Sequence, residues 1–161
     1  MLSIVKSIGL QGLNGYLISI EVDISAGLPC FEIVGLPDAS VKEAKERVKT
    51  AIKNSGVEFL SRRIIVNLAP ASTKKEGSKF DLPIAMGVLI ASGKIENPYL
   101  KEFLEESIFV GELSLDGTVE KVNRSITNLY RSKKTRNKKN NSIKEKCKRG
   151  IYNKWIGNST N

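Results

Sequence analysis

Hydrophobic and polar positions alternate cleanly from Leu17 to Ile24. Ile18, Ile20, Val22 and Ile24 fall on one side, and Ser19, Glu21, Asp23 and Ser25 on the other. A period of two predicts a half-buried strand. Ser3–Leu10 supplies a strand before it, and Asn14-Gly15 between them reads as a hairpin turn. After Ala26-Gly27-Leu28-Pro29 breaks the chain, Phe31–Val34 reads as a third short strand, closed by Gly35-Leu36-Pro37.

The period then changes from two to 3.6. Val41, Ala44, Val48, Ala51 and Ile52 make one apolar stripe, with Lys42, Glu43, Lys45, Glu46, Lys49 and Lys53 on the solvent side. Asp38 or Ser40 can cap this helix, because a short side-chain oxygen accepts from a free amide of the first turn. Asn54-Ser55-Gly56 ends it. Arg63–Leu68 reads as a strand and Ala69–Phe80 as a small, polar, basic loop. Asp81 is the expected cap of a second helix, Leu82–Ser92, which is apolar nearly all round and therefore expected to be buried. Ile108–Leu113 and Thr118–Val122 read as two strands around Leu115-Asp116-Gly117, since Asp-Gly is a hairpin signal. The order is three strands, helix, strand, helix, two strands. It predicts an α+β (α/β layer) domain with one sheet covered by helices.

Charge changes the picture at the end of the chain. The net charge of +9 invites a nucleic-acid reading. Residues 124–161, however, hold twelve of the 26 Lys and Arg and one of the 17 Asp and Glu, a net +11 that leaves residues 1–123 at −2. Attraction to polyanions is therefore concentrated in a Lys- and Asn-rich tail whose apolar residues have no period. The domain is expected over 1–123 and a disordered basic tail over 124–161.

Candidate chemistry is sparse. The chain has no histidine, which removes Ser-His and Cys-His catalysis. Cys30 and Cys147 read as two unpaired thiols, and catalytic and metal-ligating residues are expected to be absent. No apolar run is long enough to span a bilayer and no signal-peptide layout opens the chain, so no membrane partner and a cytoplasmic location are expected. No G-x-x-x-x-G-K-[ST] segment is present to cradle ATP phosphates, so no cofactor is expected in this chain. Arg62, Arg63, Lys74, Lys75 and Lys79 flank one strand and its following loop. They are the candidate contact to DNA or to a neighbouring subunit. The net acidic body and the lack of interleaved aromatic residues favour the plainer reading of a solvated basic edge.

Several stretches taken in order resemble one family. They are Gly27-Leu28-Pro29, Val34-Gly35-Leu36-Pro37-Asp38 through Val48, Arg62-Arg63 through Ala71, Lys75-Glu76-Gly77, Phe80-Asp81-Leu82-Pro83-Ile84-Ala85, and Gly111-Glu112-Leu113-Ser114-Leu115-Asp116-Gly117. The chain thereby resembles the amino-terminal domain of magnesium-chelatase-like AAA+ proteins of the ComM/YifB type. The resemblance implies a ribosomal protein S5 domain 2-like fold, shared with the Lon protease domain. It implies that full-length relatives form homo-oligomeric rings that use ATP and Mg to act on branched DNA in natural transformation. It further implies that this chain, lacking the ATPase module, is not an enzyme. Two alternatives are a free-standing basic nucleic-acid-binding adaptor and a Lon-like Ser-Lys peptidase using Ser78. Relatives resemble Gly-x-Leu-Pro just after Asn123. A one-base shift through A/T-rich codons can turn Arg124–Asn128 into Gly-Val-Leu-Pro-Ile, so the tail reads as an out-of-frame continuation of the family sequence.

Overall fold

The computed structural model describes residues 1–12 and 14–120. The tail, Cys147 and the end of the expected strand Thr118–Val122 lie outside the described residues. The elements are β1 (Leu2–Gln11), β2 (Asn14–Ser25), β3 (Cys30–Val34), α1 (Ala39–Asn54), β4 (Arg63–Ala69), a 3-10 turn (Ser78–Phe80), α2 (Asp81–Ala91), α3 (Leu100–Glu106), β5 (Glu112–Leu113) and β6 (Val119–Glu120). The architecture is α+β.

The main sheet has the order β1-β2-β4-β3. β1 and β2 form an unbroken antiparallel ladder from Leu2↔Asp23 to Gln11↔Asn14. The chain therefore reverses before Asn14, with Gly12 at φ 61°, and Asn14-Gly15 opens β2 rather than forming the turn. β4 lies antiparallel to β2 and parallel to β3. Even-numbered residues of β2 and β4 share one face, where Ile18, Ile20, Val22, Ile64, Val66 and Leu68 are fully buried.

Both long helices cover that face. Asp38 is the cap of α1, its Oδ1 accepting from Val41 N at 2.7 Å. The stripe Val41, Ala44, Val48, Ala51 and Ile52 is buried as its spacing predicts. Each large apolar side chain so buried contributes about 1.5–3 kcal/mol. α2 is buried throughout except at Leu82. It packs so closely on β2 that a Cβ at Gly87 would stand 2.5 Å from Val22 Cγ2.

Three expectations are corrected. Asp81 does not cap α2. It is the first residue of that helix, fully buried, and its carboxylate is used elsewhere. The expected strand Ile108–Leu113 shrinks to Glu112–Leu113, because the backbone before it bonds to several different elements. Phe109 N donates to Lys6 O, Gly111 N to Lys79 O, and Gly111 O accepts from Leu82 N. No single ladder can form. β5 and β6 consequently make a separate two-stranded ribbon and do not extend the main sheet. The stretch between Gly93 and Ile108, which carries no element in the sequence reading, contains α3, with Phe103 edge-on to Phe109 at 5.9 Å.

Candidate functional site

The five basic residues singled out in the sequence do not form one patch. Arg62 and Arg63 lie at the start of β4, while Lys74, Lys75 and Lys79 follow its end. A seven-residue strand separates the two groups by about 20 Å. Their environments differ as well. Arg62 and Arg63 are exposed, and Arg62 O accepts from Cys30 N, which ties this corner to the start of β3. Lys74 is exposed and held by Glu76 at 3.0 Å, a hydrogen-bonded pairing that raises its pKa. Lys79 Nζ donates to Glu76 O and sits 4.8 Å from the centroid of the Phe80 ring; burial lowers its pKa against the pull of Asp38 and Glu76.

Lys75 is a correction. It is 1% exposed and is no surface contact to DNA or to a subunit. Its backbone zips the loop to the turn after β3, with Lys75 N donating to Leu36 O and Asp38 N to Lys75 O. Its ammonium donates to Pro70 O, and burial lowers its pKa. A lysine whose folded pKa lies below its unfolded value opposes folding at neutral pH, and the opposition fades as pH rises through the folded pKa. Lys75→Met is therefore expected to stabilise the domain by about 1–2 kcal/mol at pH 7. Urea unfolding at pH 7 and pH 10 checks this; the gain should shrink at the higher pH.

The buried polar centre lies between the helices, and the sequence reading missed it. Arg47 Nε and Nη2 donate to Asp81 Oδ2 and Oδ1 at 2.7 and 3.1 Å, and Leu113 N donates to Asp81 Oδ2 at 3.2 Å. Arg47 Nη2 also donates to Ser40 O. One carboxylate thus joins α1, α2 and β5. Burial raises its pKa, while Arg47 and the Leu113 amide hold it down. The sequence carries a signal for Arg47 alone, not for its partner. Arg47 stands three residues after Ala44 and four before Ala51, on the flank of the apolar stripe and not on the solvent face.

Ser78, the peptidase candidate, donates its hydroxyl to Glu112 Oε2 at 2.5 Å. Among the described residues, no group of three or more His, Cys, Asp or Glu side chains is placed to hold a metal ion. None of their helices is long and apolar enough to cross a membrane.

Comparison with known proteins places this arrangement. The family model described as "Subunit ChlI of Mg-chelatase" matches residues 20–143. This chain belongs to that family. It is 43% identical to the competence protein ComM of Haemophilus influenzae over 135 residues, which is 84% of this chain and 26% of that protein. It is 45% identical to the protein YifB of Escherichia coli over 126 residues, 78% of this chain and 24% of that protein. The chain spans about a quarter of the length of these relatives. The family match runs past Asn123, the boundary that composition suggests.

The stretches quoted for the sequence resemblance contribute several links between elements. Leu36 and Asp38 bond to Lys75. Arg47 pairs with Asp81. Gly111 bonds to Lys79 and Leu82.

Proposed function

We propose that this chain is a non-catalytic amino-terminal domain of a ComM/YifB-type magnesium-chelatase-like protein, with the ribosomal protein S5 domain 2-like fold. It serves a DNA-directed, ATP-driven, ring-forming cytoplasmic machine whose ATPase lies in other sequence. The observation that carries this reading is the family match over residues 20–143, joined to 43% identity with a protein named for competence. Three features support it. The sequence holds no P-loop. The Ser78 hydroxyl is given to a carboxylate, not to a lysine base. The shared motifs form structural links between elements, as a scaffold domain requires.

The tail adds charge whatever its origin. Its net +11 gives duplex DNA a sequence-independent attraction that counterion release weakens as salt rises. Binding of the whole chain to a labelled duplex, followed by anisotropy, is expected to fall by about 10³–10⁵-fold between 50 and 200 mM salt. Salt-resistant or branch-selective binding by this chain alone would instead establish a free-standing adaptor. Sequencing the coding region past codon 123 tests the origin of the tail: a family-like frame one base over, leading to a P-loop, is the expected result.

A further inference from the structure

The crossover from β3 through α1 to the parallel strand β4 fixes which cations share a surface. α1 must run antiparallel to both strands, so its last turn lies at the start of β4. Lys49 and Lys53 therefore stand at the same end of the domain as Arg62 and Arg63. Lys42, Lys45, Lys49 and Lys53 recur at spacings of three or four residues and make one row about 16 Å long. Arg47, on the opposite flank, marks the side turned to α2, so the row faces away from the rest of the helical layer.

We propose that this row, continued by Arg62, is the surface that contacts the phosphate backbone of duplex nucleic acid; Arg63, at an odd position of β4, is on the sheet face opposite the helices. The inference rests on the DNA-directed reading above, and it moves the contact away from the Lys74–Lys79 loop. All five cations are exposed, and none is engaged in an ion pair or a side-chain hydrogen bond among the described residues. Lys74 and Lys79, by contrast, are already committed to Glu76. Lys42 has Glu46 four residues on and still forms no pair. The acidic groups facing the surface are Glu43, Glu46, Glu58 and Asp116; Glu43 is drawn to Arg47 at 3.8 Å.

The chemistry of the row selects its partner. Its neighbours on α1 are Glu43, Glu46, Thr50 and Asn54, with no aromatic or large apolar side chain among them; at the Arg62 end the row meets the exposed Leu28, two residues before Cys30, whose amide donates to Arg62 O. A protein interface needs an apolar or aromatic anchor at its centre. Single-stranded nucleic acid needs rings on which bases stack. An anionic membrane attracts a lysine row but holds a helix stably only when an apolar face inserts as well, and that face of α1 is spent on the core. A duplex backbone needs only regularly spaced cations. Its charges repeat every 3.4 Å along each strand, so a row this long passes about five of them.

The test uses the full chain, so that the basic tail is a constant background. Lys42, Lys45, Lys49 and Lys53 are changed together to Gln, and separately Arg62 to Gln, with Lys74→Gln/Lys79→Gln as the comparison. The slope of log K against log salt for a labelled duplex is expected to fall by up to about four for the lysine variant and about one for the arginine variant. It should not change for the comparison variant. A photo-cross-linking residue at position 49 should capture the duplex and one at position 79 should not, a readout that holds even if a multiple variant folds poorly. If the wild-type chain binds the duplex but the slope ignores the row and cross-links come from position 79, the surface is wrong and the DNA reading stands. If the wild-type chain binds no duplex at 50 mM salt, the DNA reading itself fails. An equal loss of binding to poly-glutamate would assign the row to an acidic protein instead.

Discussion

Arg47→Met lowers the stability of the domain by about 3–5 kcal/mol, because it leaves a buried carboxylate without its counter-charge. Asp81 is fully buried, and two of its three hydrogen bonds come from Arg47. The methionine side chain replaces the packing of the arginine stem, so most of the loss is electrostatic. The change also alters the response to pH. Burial already raises the Asp81 pKa above the ordinary 3.8, with Arg47 opposing the shift. A carboxyl whose folded pKa exceeds its unfolded value favours folding below the unfolded pKa, and that contribution is lost as pH rises through the folded pKa. Removing Arg47 extends this window upward. The variant should therefore regain part of its lost stability on mild acidification, measured as urea midpoints from pH 7 down to pH 4. A uniform loss at every pH would show that packing, not charge, is what Arg47 supplies. The same variant should loosen the β5–β6 ribbon first, since Leu113 N donates to the carboxylate that Arg47 orients, and amide exchange at Leu113 reports this directly.

Gly35→Ala is expected to cost at least about 3 kcal/mol, from left-handed strain together with a clash against backbone. Gly35 has φ 95°, and a Cβ there would lie 2.4 Å from Leu68 O and 2.9 Å from Leu68 C and N. Those atoms belong to the central strand β4 and cannot move aside as a side chain can. Leu36 beside it also has positive φ, at 57°, so this turn holds a non-glycine residue in a conformation disfavoured by about 1 kcal/mol or more. Leu36→Gly should therefore leave stability unchanged or raise it slightly, although the exposed leucine side chain is lost. The contrast between these adjacent glycine and leucine substitutions, read from denaturant midpoints at unchanged m-value, separates a positional requirement from a general sensitivity of the turn.

Much of the fold is legible in the sequence because the periods are clean. The β2 alternation assigns Ile18, Ile20, Val22 and Ile24 to the core, and all four are buried. The α1 stripe is buried residue for residue. The all-apolar second helix is buried because it has no polar face to turn outward. Legibility stops where partners come from distant sequence. Asp81 sits where a cap belongs, and nothing local shows that an arginine 34 residues earlier reaches it. Ile108-Phe109-Val110 has strand composition, yet its hydrogen bonds scatter. α3 is short, and what holds it comes from distant sequence: Lys6 Nζ donates to Glu105 O, and Leu100, Phe103 and Leu104 pack on the core.

The candidate contact surface divides in the same way. Sequence alone determined that the body is net acidic, that the excess positive charge is in the tail, that no P-loop is present and that the motif order resembles one family. Those properties follow from residue identity and spacing and need no coordinates. Only the tertiary structure decided which cations share a surface. Sequence proximity grouped Arg62 and Arg63 with Lys74, Lys75 and Lys79, but an extended strand carries its ends apart, and the loop turns Lys75 inward. The β3–α1–β4 crossover instead brings the end of the helix back to the start of the strand. Lysines that read as an ordinary solvent face thereby join Arg62, which follows the helix.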